Sequence, residues 1–206
     1  MSKHSFKTLG FTLIELVATM AIAGILVTTA IPSFNSTITS SRLSCYANDL
    51  VSALNLAHSE SVRRGISVTV RKVDKDSCTN SGVGANWEMG WDVFTDIDND
   101  GKCDEGDELI RTYPALMPSY TLRGNHNISN YIRFLPSGLS NTNGSFVICN
   151  NRDGLGIPKA NTSRLIIVYT TGRVRMGLDT NNDGIPNTNN TASSATNIKS
   201  CIPPFS

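Results

Sequence analysis

KTLGFTLIELVATMAI, at residues 7–22, determines how the rest of the chain is interpreted. A single carboxylate, Glu15, stands near the start of a long apolar run, and residues 16–31 carry no charge. The residues before the run include two lysines and no acid. The run has about the 20 residues that span a bilayer, and the preceding positive charges predict an N-terminus inside and the remainder outside.

The apolar run passes into a second helical pattern with no loop between them. Pro32 would kink such a helix and Gly65 would end it. A cleaved signal peptide would instead end at a small-residue site before a separate domain. The sequence predicts one helix from about residue 11 to 64, hydrophobic all round over 11–34 and amphipathic over 35–64. Spacings of three and four give the second half one mostly apolar face, formed by Leu43, Ala47, Leu50, Leu54, Ala57 and Ser61.

Beyond the helix the apolar period changes from about 3.6 residues to 2, which predicts strands. A helix followed by strands predicts an α+β fold, in which the antiparallel sheet of a β-rich domain (65–178) packs on the amphipathic half of the helix. Residues 179–206 are rich in Asn, Thr and Ser and are expected to be mostly loop. The strand candidates, separated by turn-rich stretches, are residues 66–72, 87–94, 109–113, 131–135, 145–149, 164–171 and 172–176.

Charge is distributed unevenly through the β-rich part. Residues 73–108 contain two lysines and eleven acids, whereas residues 109–178 contain eight basic residues and one acid. The net charge of the whole chain is only +1, so the distribution carries the information. The asymmetry favours two surfaces with different partners, and the alternative is two ordinary solvated faces.

The N-terminal segment resembles the class III signal of type IV pilins and type II secretion pseudopilins, on the whole of the string GFTLIEL. In that family a prepilin peptidase cuts after the glycine and methylates the new N-terminus, which implies a leader of residues 1–10 and cleavage between Gly10 and Phe11. The matching acid is Glu15, and the resemblance implies that it pairs with the N-terminal amine of a neighbouring subunit in a filament. An acid inside a membrane segment is a functional candidate by itself, and the alternative is a side chain that snorkels to the interface.

The globular part is similar to the GspH/FimT group of minor pilins. The similarity rests on WEMGWDVFTDIDNDG (87–101) followed by DELIRTYP (107–114), and on FVICN (146–150) followed by TTGRVRM (170–176). It extends to about residue 178, beyond which the asparagine-rich tail departs from the shorter ending of the group.

This resemblance implies a type IV pilin-like fold and a structural role. The chain is expected to be a minor type IV pilin that sits at or near the pilus tip and primes assembly with other minor and major pilins and the inner-membrane platform. It would first be a single-pass inner-membrane protein, with its N-terminus cytoplasmic and its globular domain periplasmic, and later lie on the cell surface. The alternative is a GspH-like minor pseudopilin that serves protein export by type II secretion.

Five cysteines follow the apolar run, where an extracytoplasmic location permits disulfides. Members of the similar group often tie the tail to the sheet, which implies a bridge between Cys149 and Cys201. Cys78 and Cys103 flank the acidic hairpin and could pair too, which would leave Cys45 as a free thiol. A metal site is less favoured, because no CxxC spacing occurs.

The acidic hairpin has the spacing of a calcium loop, which takes oxygen ligands at positions 1, 3, 5, 7, 9 and 12 and a glycine at position 6. The flanking sequence is strand-like and the hairpin of the similar group is often too degenerate to bind metal, so a plain surface turn is the alternative. A weaker copy begins at Asp179, with Asn181, Asp183, Gly184, Asn187 and Asn190 in frame. The candidate ligands are Asp96, Asp98, Asp100, the carbonyl of Lys102, Asp104 and Asp107.

The tetrad Gly172-Arg173-Val174-Arg175 is a candidate DNA-binding motif. Two arginines spaced by two lie on one side of a strand, and guanidinium groups bind phosphate bidentately. Lys159 and Arg164 are near in sequence and are included in the candidate site. The pattern is similar to the GRxR of FimT-type competence pilins, which implies capture of extracellular DNA for natural transformation. The chain has no groove-reading helix motif, so phosphate contact without sequence specificity is expected, and the alternative is a solvated strand face.

The sequence contains no recognisable catalytic frame. His4 lies in the leader, and His58 and His126 accompany no metal-binding or nucleophile motif. The chain is therefore predicted to be a structural and interaction protein rather than an enzyme, with no required cofactor.

Overall fold

The computed structural model describes residues 10–80, 86–188 and 196–205, apart from the side chains of residues 29–35. Most of the predicted leader and Asn190 lie outside the described residues. The chain forms two compact units, residues 1–39 and residues 40–206.

The predicted long helix is confirmed: α1 spans Leu13–Arg64 and passes through Pro32 without ending. Gly65 follows with a φ of 70°, a left-handed conformation that glycine adopts without steric cost, and its N–H donates to the Ser61 carbonyl at 3.0 Å. These two features end the helix where the sequence predicts.

In the first unit, α1 exposes apolar side chains around its circumference. No helix formed by the described residues combines the length and the apolar character that crossing a bilayer requires. Insertion of residues 11–34 in a membrane stays a prediction. Side chains that expose half of their surface or more include Leu13, Ile14, Leu16, Val17, Met20, Ile22, Ile25, Leu26 and Val27.

The second unit contains two four-stranded antiparallel sheets. Sheet 1 contains β1 (Val68–Lys72), β2 (Trp91–Thr95), β3 (Leu109–Tyr113) and β5 (Tyr131–Phe134), in the order β3-β2-β1-β5. Sheet 2 contains β4 (Tyr120–Gly124), β6 (Gly144–Asn150), β7 (Ser163–Val168) and β8 (Val174–Met176), in the order β4-β6-β7-β8. The sequence predicts one sheet, whereas the structure contains two.

The structure differs from the strand predictions at three places. The strand predicted at residues 164–171 ends at Val168, because residues 169–172 form the turn to β8. Residues 87–94 split into a 3₁₀ helix, Trp87–Met89, and β2, because Gly90 turns the chain with a φ of 106°. A Cβ at Gly90 would lie 2.5 Å from the Tyr113 carbonyl oxygen, so the backbones approach too closely for any other residue. Strand β4 is not predicted from the sequence, since only Tyr120 and Leu122 are large apolar residues in it.

The predicted apolar face of α1 is confirmed, because all six of its residues, from Leu43 to Ser61, are fully buried. The five apolar residues among them pack in one core with strands of both sheets, including Val70 and Ile132 of sheet 1 and Phe146 of sheet 2. The helix therefore supplies the surface on which both sheets assemble.

The tail covers the second face of sheet 2, which differs from the loop expected. In β6, Phe146 and Ile148 belong to the core beneath α1, whereas Val147 and Cys149 belong to a second apolar cluster. This cluster also contains Leu165 of β7 and, from the tail, Ile198, Cys201 and Phe205. The described part of the tail has little regular structure, but it buries apolar side chains.

Both predicted cysteine pairs form disulfides. Cys149 and Cys201 join the tail to β6, with 6.0 Å between their Cα atoms, and Cys78 and Cys103 join the two acidic turns, with 5.0 Å between theirs. Cys45 is free and exposed on α1.

Replacing Cys149 and Cys201 together by alanine should lower the free energy of unfolding by roughly 2–4 kcal/mol, because the bridge closes a long loop and holds the tail on sheet 2. The bridge joins residues 52 apart, whereas Cys78 and Cys103 are 25 apart, so their double alanine variant should lose less. Urea unfolding checks both variants. Cys45→Ala is the control, and an unchanged stability without the Cys149–Cys201 bridge would contradict this role of the tail.

Candidate nucleic-acid interface and acidic loop

Arg175 lies on β8, the edge strand of sheet 2, opposite Ile167 of β7. Its Nε donates a hydrogen bond to the Tyr169 hydroxyl at 2.7 Å, and its guanidinium carbon lies 5.6 Å from the centre of the Tyr169 ring. These two contacts hold the guanidinium against an exposed aromatic ring.

Arg173 lies in the tight turn between β7 and β8. Tyr169 N–H donates to the Arg173 carbonyl at 3.0 Å and Gly172 N–H donates to the Tyr169 carbonyl at 2.9 Å. Gly172 has a φ of 78°, and a Cβ there would lie 2.0 Å from the Gly138 carbonyl oxygen, so glycine is required. The Arg173 side chain is exposed and makes no hydrogen bond or ion pair within the described residues.

Arg173 and Arg175 line the same open cavity of about 580 Å³, together with Tyr169, Thr171, Met176 and Leu178. Among the described residues, no carboxylate contributes to this lining. Two guanidinium groups without a neutralising acid suit the oxygens of a phosphate chain. We name this surface, with its two arginines and Tyr169, the basic edge.

The structure does not bring the other two predicted residues to the basic edge. Arg164 lies on the helix side of β7, where its guanidinium donates to the hydroxyls of Ser40 at 3.0 Å and Ser44 at 3.3 Å. Burial lowers the pKa of Arg164. The Lys159 ammonium pairs with Asp153 in the loop before β7. Of the four predicted DNA contacts, two therefore form a common site.

Three carboxylates of the predicted calcium loop converge. Oxygens of Asp96, Asp98 and Asp100 all lie within 4.8 Å of one another. Asp100 pairs with the Lys102 ammonium at 2.8 Å, and this hydrogen bond lowers the pKa of Asp100. Loss of some hydration, and then the charges of neighbouring carboxylates, raise the pKa of exposed Asp104. The loop thus concentrates negative charge that a divalent cation would relieve.

The ends of this loop are already held by protein donors. Asp96 is fully buried and accepts hydrogen bonds from the Thr69 hydroxyl at 2.5 Å and the Arg133 guanidinium at 3.2 Å. Asp107, at the other end, accepts from the Ile97 N–H at 3.0 Å. The fold therefore shapes the loop without a metal, and calcium stays a prediction.

Sequence reasoning missed the arginine that pins this loop. Arg71 is buried in β1 and donates to the Gly101 carbonyl at 2.7 Å, within the loop. It also forms ion pairs of 2.9 Å with Asp74 and Asp76, beside Cys78. A lone arginine in a strand pattern gives no signal of this role.

The weaker copy of the calcium loop, which begins at Asp179, stabilises the tail through hydrogen bonds within the protein. Asp179 accepts from the Gly184 N–H at 2.7 Å, which closes the turn. The Asn187 side chain is buried, accepts from the Thr180 N–H at 2.6 Å and donates to Asn197 at 2.6 Å. Asn187 therefore joins two tail segments, and Asn190 lies outside the described residues.

The processing and assembly residues lie at the start of α1. Gly10 and Phe11 are exposed and precede the helix. Glu15 is exposed in the first turn, where its backbone N–H donates to the Thr12 hydroxyl at 3.3 Å. Its carboxylate has no partner among the residues described, so it is available to a cation from outside the chain.

Residues 46–172, more than half of the chain, match the family model described as Type II transport protein GspH. The chain belongs to the GspH family. Residues 6–31 of this GspH-family protein match the Prokaryotic N-terminal methylation motif, which covers Gly10, Phe11 and Glu15. The predicted minor pilin or pseudopilin family is thereby confirmed.

Solved structures similar to the GspH-family protein include a minor pilin and a minor pseudopilin. The type IV minor pilin FimU of Pseudomonas aeruginosa shares 17% identity with a TM-score of 0.50, over 78% of this chain and 96% of the FimU chain. The minor pseudopilin EpsH from the Type 2 Secretion System of Vibrio cholerae shares 13% identity with a TM-score of 0.44, over 66% of this chain and 95% of the EpsH chain. The likeness to FimU confirms the pilin-like α+β fold. No curated protein sequence matches the chain.

Calcium should raise the melting temperature of the protein, because a ligand that binds only the folded state stabilises it by about 2.7 kcal/mol at a hundredfold excess over Kd. Asp98→Ala should abolish the rise in melting temperature, since Asp98 is one of the three converging carboxylates and lies exposed in the loop, outside the strands. Glu105→Ala removes an exposed acid from the same loop at a non-ligand position and should keep the rise. Thermal unfolding with calcium or magnesium checks this, and no rise in the wild type would refute the site.

Proposed function

We propose that this GspH-family protein is a minor type IV pilin, cut by prepilin peptidase between Gly10 and Phe11 and held in the inner membrane by the first half of α1. It then enters the pilus at or near the tip, where it primes assembly with other pilins on the inner-membrane platform. The methylation motif supports the processing step, because it covers the cleavage position. The fold shared with a type IV minor pilin is consistent with the pilus, while the type II transport description of the family keeps the pseudopilus as the alternative.

Glu15 supports assembly in this proposal. Packing the apolar first half of α1 among similar helices would remove its side chains from solvent, and an unpaired carboxylate there would be costly. The α-amine that cleavage exposes at Phe11 of a neighbouring subunit is a cation of the right kind. The pairing would offset the cost of burial and set the axial position of each subunit.

We further propose that the basic edge captures extracellular DNA for uptake. The observation that carries this is the shared lining of one open cavity by Arg173 and Arg175, without a carboxylate among the described residues. Exposed Arg173 has no ion-pair partner among the residues that the structure describes, so binding a phosphate breaks no ion pair with them. Contacts of this kind are independent of sequence and weaken as salt displaces them.

Glu15→Ala should be processed and inserted in the membrane normally, yet be at least about tenfold depleted from sheared pili, because breaking a buried ion pair costs several kcal/mol. Mass spectrometry of the N-terminus and immunoblots of membrane and pilus fractions measure both steps. Glu105→Ala is the matched control. Normal incorporation of Glu15→Ala would contradict the role, and a defect in secreted proteins with intact pili would favour the pseudopilin alternative.

Arg173→Gln with Arg175→Gln should weaken DNA binding by at least about tenfold at low salt and reduce the slope of log K against log salt by about 2, one for each lost phosphate contact. Fluorescence anisotropy on the full chain in a nonionic detergent measures both quantities. Arg111→Gln with Arg152→Gln removes the same charge from exposed positions elsewhere. An equal loss in this control pair would show that net charge, rather than the basic edge, binds DNA.

A further inference from the structure

The basic edge continues into a groove along the outer face of sheet 2. A second cavity of about 200 Å³ shares Tyr169 with the arginine-lined cavity. A third, of about 360 Å³, shares Asn125, Ser145 and Thr188 with the second. Because neighbouring cavities share walls, the three form one track, which we name the sheet 2 groove.

The chemistry of this groove changes along its length. Arginines line the end at the basic edge, whereas amides and hydroxyls line the rest above the aliphatic side chains of Leu165 and Ile167. Among the described residues, no carboxylate lines any of the three cavities. The polar lining beyond the arginines consists of Asn125, His126, Asn127, Asn143, Ser145 and Thr188. Such a surface suits a ligand that combines phosphate with neutral groups that hydrogen-bond.

One buried acceptor in the groove has no partner. Asn125 Oδ1 is inaccessible to solvent and receives no hydrogen bond from the described residues. Gly144 lies against it, and a Cβ there would be 2.9 Å from this oxygen and 2.8 Å from Ile128 Cδ1. Asn125 as a whole is only half-buried and lines two of the cavities, so rotation of its carboxamide would present this unsatisfied acceptor to a ligand amino group in the groove.

Tyr169 stands where the arginine-lined and amide-lined parts meet. Tyr169 is 38% exposed and its hydroxyl is held by Arg175, so its ring offers a fixed aromatic surface. Bases of a single strand can stack on such a ring and present their edges to amides, whereas a duplex keeps base faces inside and shows mainly phosphate.

We infer that the sheet 2 groove binds single-stranded DNA in preference to duplex DNA, with phosphates on Arg173 and Arg175, a base stacked on Tyr169 and a base amino group at Asn125. The inference rests on the proposed capture of DNA and specifies its substrate. Bases are recognised only by stacking on Tyr169 and by the one acceptor of Asn125, so any preference for a particular base is weak.

The test compares a labelled oligonucleotide of about 12 nucleotides with its own duplex, by anisotropy at one low salt concentration on the full chain in nonionic detergent. The single strand should bind at least about fivefold more tightly, which is the contribution of one stacked base. Tyr169→Leu should remove most of this preference. Tyr169→Phe keeps the ring and loses only the hydroxyl bonded to Arg175, so it should lose less than Tyr169→Leu.

Asn125→Ala provides an independent variant, since it changes an amide that lines the second and third cavities but not the arginine-lined one, and it should also reduce the preference for the single strand. Melting temperatures confirm that each variant is folded. Equal binding of single strand and duplex, or equal losses in Tyr169→Leu and Tyr169→Phe, would overturn the inference and leave the proposed function standing. Absence of binding to either form of DNA would overturn the proposed function itself.

Discussion

Burial of one face of α1 between two sheets is the interaction on which the rest of the structure depends. Leu43, Leu50 and Leu54 are fully buried, and each contributes about 1.5–3 kcal/mol when removed from water. Alanines at 47 and 57 lie on the same face and let the strands approach the helix. Because both sheets meet on this face, neither needs a core of its own. The positions of the turns and the tail in the second unit follow from the arrangement of these two sheets.

The arrangement leaves the outer face of sheet 2 to be covered, and the tail does this. The unbroken apolar runs of β6 and β7 are explained by this two-sided burial, since residues of both parities meet an apolar surface. The disulfide from Cys149 to Cys201 fixes the covering segment at one end. The tail residues Thr188, Pro204 and Phe205 form part of the walls of the sheet 2 groove. The feature proposed to bind DNA is therefore a consequence of how the core is closed.

Short sequence patterns were sufficient to predict the helix, whereas the pairing and register of strands far apart in the sequence were not predictable from such patterns. The helix face was predicted residue by residue, because its period of 3.6 is repeated over many turns. Arg164 was assigned to the basic edge from its sequence position alone. The register of β7 sets its side chain towards Ser40, while Ile167, opposite Arg175, points to the other face. Such a register depends on pairing between segments far apart, which no short pattern encodes. Tyr169 was missed for the same reason.

The charge asymmetry of the sequence has a different meaning in the folded chain. Arg123 and Arg133 of the basic half form ion pairs with Glu88 and Asp96 of the acidic half, so part of the contrast is neutralised inside the fold. What distinguishes a binding surface is then the charge that the fold leaves uncompensated. Arg173 meets this condition within the described residues, because it is exposed and has no acidic partner. Counting charges along the chain overestimates both surfaces. Exposed Arg111 and Arg152 also lack an ion pair among the described residues, so what distinguishes Arg173 and Arg175 is that they line one cavity together.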